Sequence, residues 1–116
     1  MNPPPIATMV ATIASGGSLS AVIDTGGLPI CGIQMSAGWD AAAMTFQAAA
    51  DLPANVASLY DSSGIEVNVT VAASTFIYID PSIFAGVRYL KVRSGTAGTP
   101  VTQSATRAIV LALRTV

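Results

Sequence analysis

The sequence predicts an all-β domain of antiparallel strands, and three observations point to this fold class. Val, Ile and Thr make up 32 of the 116 residues, and β-branched side chains suit pleated surfaces. Apolar and polar residues alternate along several short stretches, as in a strand with one face in the core. Turn-forming residues interrupt these stretches about every 8–12 residues, a spacing typical of a sandwich or a barrel.

The first four predicted strands follow from where apolar runs begin and where turn residues stop them. The first begins after three prolines and ends before a Ser-Gly-Gly turn, and the next two end at Gly-Gly and Ser-Ala-Gly turns. The fourth lies between two alanine runs of helical propensity, and its Met-Thr-Phe-Gln alternation favours a strand. These strands are 6–13, 19–24, 28–35 and 43–49.

Five further strands complete the prediction. The clearest alternation places Ile65, Val67, Val69 and Val71 on one face of a half-buried strand. The final strand is more continuously apolar and is expected to be central, and Pro81–Ala85 favours one helical turn. These strands are 56–60, 65–71, 75–80, 87–93 and 106–114. We expect the following side chains to be largely buried: Val67, Val69, Phe76, Tyr89, Val92, Ile109 and Leu111.

The residue inventory excludes most catalytic chemistry, and we expect no enzyme and no cofactor. The chain has no His and one Cys, which excludes a Ser-His-Asp triad, a Cys-His dyad, a structural zinc site and an internal disulfide. Cys31 lies in an apolar run without an activating neighbour, so we expect core packing. Asp24, Asp40 and Asp61 each sit beside a turn, where Asp is common for backbone reasons.

Charge is sparse and unevenly distributed. The net charge is −1, which argues against nucleic acid as a partner. All six acids precede position 81 and all five bases follow position 87. Either early and late strands pair these charges across the fold, or a polar docking face has one acidic and one basic edge.

The uncharged stretch 1–23 predicts neither a membrane span nor a signal peptide. Pro3–Pro5 and the Ser and Gly residues of 15–20 interrupt it well short of about 20 apolar residues, and it has no basic start. We interpret it as an extended arm followed by a strand, with residues 1–18 as arm and first strand and 19–116 as the remainder of one domain.

The expected surface is unusual for a free monomer. A chain of 11.7 kDa exposes about 5,900 Å², so eleven charges leave roughly one per 500 Å². A neutral surface of small side chains suits a protein that is covered by neighbours.

Several segments in order resemble a small protein of the structural gene clusters of tailed bacteriophages, similar in style to the jelly-roll head decoration (cement) proteins of short-tailed phages. The resemblance covers about residues 20–114. Its segments are Ile23–Gly27, Gly32–Met35, Trp39–Asp51, Leu59–Asp61, Ile79–Pro81, Phe84–Thr96 and Pro100–Gln103.

This resemblance implies an antiparallel β-sandwich of jelly-roll type with an extended N-terminal arm. It also implies a structural virion protein, made in the host cytoplasm, that binds the outer capsid surface. The expected partners are the major capsid protein and copies of itself, as dimer or trimer, and neither nucleic acid nor membrane. Both the arm and the loop 94–106 are expected to stay mobile until a partner orders them. The candidate contact residues are Asn2, Pro3, Pro4, Pro5, Ile6, Thr96, Thr99, Pro100, Thr102 and Gln103.

A carbohydrate- or receptor-binding module on the same fold is the alternative. Arg88–Val92 is similar to the Arg-Tyr-hydrophobic strand of discoidin-like domains, although 49–53 lacks the Gly of their usual turn. Trp39 and Tyr60 are the candidate sugar-stacking residues, and the competing interpretation of Trp39 is an aromatic cap on the core.

Overall fold

A computed structural model describes residues 6–114 as two four-stranded antiparallel sheets with almost no helix. Two 3₁₀ turns, Pro53–Asn55 and Pro81–Phe84, are the helical segments of this range. The strands are β1 (Ile6–Ile13), β2 (Ile23–Asp24), β3 (Ile30–Gln34), β4 (Met44–Ala49), β5 (Ala57–Ser58), β6 (Phe76–Tyr78), β7 (Tyr89–Ser94) and β8 (Arg107–Arg114).

The first strand of the chain pairs with the last, the second with the second-last, and so on toward the middle of the chain. One sheet has the order β1-β8-β3-β6 and the other β2-β7-β4-β5. The pairs β1–β8, β2–β7, β3–β6 and β4–β5 are all antiparallel. The chain therefore behaves as one long hairpin rolled up so that successive pairs fall in alternate sheets. β8 is central, as its continuous apolar run predicts.

The first strand is an integral part of its sheet. Each residue from Ile6 to Ile13 has a partner in β8, so 6–13 belongs to the core fold rather than to a separate arm. Residues 1–5, including Asn2 and Pro3–Pro5, lie outside the described residues.

The buried side chains of both sheets form one core. Phe46 from one sheet and Phe84 from the second 3₁₀ turn pack edge to face with ring centroids 5.1 Å apart, a favoured aromatic geometry. The turn itself follows the sequence expectation, because the Asp80 carboxylate accepts the Ser82 N–H and Pro81 starts the helix. The other large buried side chains are Ile13, Ile30, Ile33, Met44, Leu90, Val92, Ile109, Leu111 and Leu113.

The predicted core is correct in part. Val92, Ile109 and Leu111 are fully buried, while Val67, Val69 and Tyr89 are half-buried. The prediction that Phe76 is buried is wrong, because 64% of its surface is exposed. Its backbone is in phase with Gly32 and Gln34 on the outer side of the sheet, whereas Ile77 takes the inner position.

The predicted strand 65–71 does not form as a regular strand. Only Glu66 and Val69 make bridge pairs, with Tyr60 and Met44 respectively. Ile65 is 65% exposed, and the Glu66 side chain turns toward Arg93. The segment 65–71 is therefore attached to the sheet edge through isolated bridges. Glu66, a polar residue of the alternating pattern, makes a largely buried contact with Arg93.

Candidate protein-docking site

Four loops meet at one end of the two sheets, and we call residues 14–18, 35–43, 70–75 and 95–106 the loop end. β1, β3 and β7 end here, and β4, β6 and β8 begin here. Backbone hydrogen bonds tie one loop to the next: Gly16 N–H to Gln103 O at 2.8 Å, Gly95 N–H to Ala43 O at 2.7 Å, and Ser74 N–H to Ser36 O at 3.2 Å. The loop end is thus one connected surface.

Gln103 holds the loop end together from inside. Its side chain is completely buried. Oε1 accepts the Asp40 N–H at 2.9 Å and the Arg107 Nε–H at 3.1 Å, while Nε2 donates to the Ser94 hydroxyl at 2.8 Å. The prediction of Gln103 as a partner contact is therefore corrected, because every polar group of its side chain is bonded within the chain.

The loop 94–106 makes hydrogen bonds within itself and to the rest of the fold. Ala97 N–H donates to the Glu66 carboxylate at 3.1 Å, and Val101 N–H donates to Ser94 O at 2.9 Å. Gly95 has φ +88°, and a Cβ there would lie 2.5 Å from Thr99 O, so only glycine fits. Of the candidate contacts, Thr99, Pro100 and Thr102 are exposed and Thr96 is half-buried.

Three ion pairs join an early acid to a late base, and together they use six of the eleven charged side chains. This arrangement is the pairing of early and late strands that the charge distribution left open. The pair Glu66–Arg93 is largely buried, with Nη2 2.7 Å from Oε2. Arg107 Nη2 lies 3.2 Å from Asp40 Oδ1, and Arg88 bonds Asp24 on the surface.

The Asp40 carboxylate is the charged group that faces the loops. The pKa of Asp40 is held below its ordinary value by the backbone N–H of Ser104, then by the Ser104 hydroxyl and by the charge of Arg107. The Ser104 N–H is 2.6 Å from Oδ2. The carboxylate and the guanidinium therefore neutralise each other, and the rim of the loop end is left with small uncharged residues.

A cavity of about 370 Å³ opens at the loop end between the β3–β4 loop and the segment before β6. Its lining is small and apolar: Trp39, Ala41, Ala42, Ala43, Thr70, Val71, Ala72 and Ala73. Such a site accepts an apolar group, since it offers few polar partners. Close by, a shallow depression is lined by Gln34, Met35 and Ser74–Phe76.

Trp39 belongs to the core and forms one wall of this cavity. Only 6% of it is exposed, and its Nε1–H donates to Ala42 O at 3.2 Å. This position fits the interpretation of an aromatic cap on the core and leaves no open ring face for a sugar. Tyr60, the other candidate, is 52% exposed and pairs with Glu66 outside the cavity, so the two do not share a site.

Ile6 marks the opposite end of the molecule. It pairs with Arg114, and the strand from Ile6 to Ile13 covers about 24 Å at 3.4 Å per residue. The loop 94–106 therefore lies at the end of β1 opposite to Ile6, and the predicted contact residues 2–5 lie outside the described residues.

Cys31 is the chain's single cysteine. The Cys31 thiol is half-buried and donates to Ala112 O at 3.4 Å. In this range no three His, Cys, Asp or Glu side chains come together as metal ligands. Among the same residues no helix has the length and apolar character needed to cross a bilayer.

Comparison with protein-family models, curated proteins and solved structures finds no match to this chain.

Sequence reasoning missed the cavity and the exposed aromatics of β6. Ala41–Ala43 and Ala72–Ala73 are distant in the chain and meet because Met44 bridges Val69, a pairing that alternation alone does not specify. Phe76 and Tyr78 were assigned to a strand, and the signal available was their position two residues apart, which places both on one face.

Proposed function

We propose that this chain is a structural virion protein of a tailed bacteriophage, a decoration protein with a jelly-roll sandwich fold that binds the outer capsid surface. The strand orders β1-β8-β3-β6 and β2-β7-β4-β5 support the jelly roll, since an eight-stranded hairpin rolled into two sheets is that topology. Jelly rolls are common among viral capsid and lectin domains, and fold alone does not decide between these uses.

The observation that carries the proposal is the low charge of the exposed surface. The chain exposes 5959 Å², and three internal ion pairs occupy more than half of its charged side chains. Loops usually carry the binding residues of a rigid fold. Here the loops present Thr99, Pro100, Thr102 and an apolar cavity. A surface of this kind suits dry contact with protein more than it suits open water.

Decoration requires no chemistry from the chain. Each contact can be modest, because many copies on one lattice act together and binding to the assembled shell favours that shell by mass action. We propose that an apolar side chain of the major capsid protein enters the cavity beside Trp39, and that the exposed Thr99 and Pro100 of the loop 95–106 make further contacts.

Co-sedimentation with assembled capsids tests this proposal through a matched pair of alanines. Ala72 lines the cavity and is exposed, whereas Ala85 is exposed at the opposite end of the sheets. We expect Ala72→Arg to reduce capsid occupancy at least tenfold and Ala85→Arg to leave it unchanged, with both variants melting as the wild type does. Equal occupancy for both variants would remove the cavity from the interface, and absence of wild-type binding would overturn the decoration role.

A carbohydrate- or receptor-binding module is the second candidate, and the exposure of Tyr60 favours it. Aromatic faces in contact with solvent can stack on sugar rings. Because Trp39 is buried, Tyr60→Ala is the informative variant for a glycan array. Glycan binding by the wild type that is lost in Tyr60→Ala would favour this candidate over decoration.

A further inference from the structure

The outer face of the β1-β8-β3-β6 sheet is almost free of charge. Register places its outward side chains in three rows across the strands. The rows are Thr8–Ala112–Gly32–Tyr78, Val10–Val110–Gln34–Phe76 and Thr12–Ala108. None of these ten residues is charged. Among the paired residues of this face the charged one is Arg114, at the margin far from the loop end, and the exposed Asp80 follows Tyr78 at that same margin.

Its exposed apolar groups include two large aromatic side chains. Val10 is 56% exposed, Phe76 64% and Tyr78 76%. The Phe76 ring lies over Gly32, where an added Cβ would come within 2.6 Å of Cζ. The ring therefore rests across the sheet, in the space that glycine leaves. The two aromatics form a ridge along β6, and the side chains of β8 and β1 beside it are smaller: Val10 and Val110 in the middle row, and Thr or Ala in the rows on either side.

The opposite sheet does not share this character. The outer face of β2-β7-β4-β5 carries Asp24, Lys91 and Arg93, because Leu90 and Val92 take the inward positions of β7. The outer face of the β2-β7-β4-β5 sheet is therefore charged, whereas that of the β1-β8-β3-β6 sheet is almost uncharged.

We propose that the β1-β8-β3-β6 outer face binds the same face of a second copy of this chain, forming a two-fold symmetric dimer. A two-fold interface places a surface against itself, so a charge near the axis would meet its own copy. A neutral face avoids that repulsion and the cost of removing charges from water. Two sheets can pack face to face with their side chains interdigitated.

The shape of the face also fits its own copy. With the two-fold axis along the strands, the Phe76–Tyr78 ridge of each copy lies over β1 and β8 of the other, where Thr8, Ala108 and Ala112 are small. The four strands contain 24 residues, which cover about 390 Å² of plane at about 4.8 Å between strands and 3.4 Å per residue. A stable interface buries about 600–1,000 Å² of accessible surface per partner, and side-chain relief brings the face into the lower part of that range.

The inference rests on the proposed function only in that copies of the chain are among its partners. It leaves the loop end free for a capsid, so the two contacts can form together. The test uses the purified full chain without capsids, so that failure of the dimer is distinguishable from failure of capsid binding.

Sedimentation velocity across a wide concentration range tests the dimer with two matched valines. Val10 lies in the middle row of the face, and Val22 is 40% exposed outside these rows. We expect wild type and Val22→Glu to be dimers, and Val10→Glu to be a folded monomer with an unchanged circular dichroism spectrum. If Val10→Glu does not fold, Tyr78→Ser replaces it, since Tyr78 is the most exposed residue of the ridge.

Three results would overturn the proposal. A monomeric wild type at every concentration is the first. A variant with a disrupted face that still forms the wild-type dimer is the second. The third is a wild-type monomer that dimerises only after residues 1–5 are deleted, because that result would make the chain's own N-terminal segment the occupant of the face.

Discussion

The side-chain amide of Gln103 pairs with the backbone of Asp40 in both directions. Oε1 accepts the Asp40 N–H at 2.9 Å, and Nε2 donates to the Asp40 carbonyl at 3.2 Å. The loops 35–43 and 95–106 are not paired as strands here, and the buried Gln103 side chain supplies the hydrogen bonds that a neighbouring strand would otherwise make to the Asp40 backbone. The Gln103 side chain therefore joins the loops 35–43 and 95–106 in addition to the backbone bonds of the loop end.

We expect Gln103→Leu to lower the free energy of unfolding by about 3 kcal/mol or more, since it leaves several buried polar groups without partners at about 1–3 kcal/mol each. Urea denaturation monitored by circular dichroism measures this loss. Thr102→Ala, an exposed change at the next position, should stay within about 0.5 kcal/mol. A Gln103→Leu protein as stable as Thr102→Ala would show that the pairing contributes nothing.

We expect loss of the buried ion pair to destabilise the fold more than loss of the exposed one. In the Glu66–Arg93 pair the side chains are only 16% and 7% exposed, so Glu66→Gln leaves a buried guanidinium without a counter-charge and should cost about 3 kcal/mol. The Asp24–Arg88 pair is about half exposed on each side, so solvent screens it and Asp24→Asn should cost clearly less stability than Glu66→Gln. Thermal melts of both variants check this order, and equal losses would contradict it.

Acid should weaken the fold through its bonded carboxylates. The pKa of Asp40 is lowered chiefly by the Ser104 N–H, and that of Asp24 chiefly by Arg88. A carboxyl whose pKa is lowered by folding adds stability above its unfolded pKa of about 3.9. That stability is lost as pH falls through the folded pKa. Unfolding measured from about pH 7 to pH 2 should therefore show a decline that is smaller in Asp40→Asn, which is already less stable at neutral pH. A parallel decline in both proteins would be inconsistent with this role of Asp40.

Gly32 should matter more for association than for folding. The Gly32→Ala methyl group would strike the Phe76 ring, which is exposed and can swing aside. We expect a stability change below about 1 kcal/mol, together with a dimer dissociation constant raised at least tenfold because the ridge is displaced. Guanidine denaturation and sedimentation velocity of the same sample give both values. A large loss of stability with unaltered dimerisation would reverse this assignment.

Local patterns were sufficient for the long strands. β1 coincides with the predicted strand 6–13, and β8 lies within 106–114, because each has a continuous apolar run bounded by turn residues. The segment 65–71 has the best alternation in the chain and forms only bridges. Its Glu66 has a buried partner in Arg93, and a residue pattern does not encode such a distant contact.

The exposed face of β6 and the buried position of Gln103 depend on long-range pairing, so the sequence did not predict them. Whether Phe76 or Ile77 faced inward depended on the register of β6 against Gly32 and Gln34, and a shift of one residue reverses the two faces. Gln103 lies in a polar, glycine-containing loop, and this composition predicts a mobile segment. Its burial follows from the meeting of Asp40, Ser94 and Arg107, which are separated along the chain.

The proposed decoration role is tested most directly on virus particles produced from the genome that encodes this chain. Immunogold electron microscopy with quantitative mass spectrometry of purified particles locates and counts the protein. The account predicts label on the outside of heads, in a fixed ratio to the major capsid protein, and heads that rupture at lower temperature when the gene is deleted. Label confined to tails, or virions that lack the chain, would contradict it.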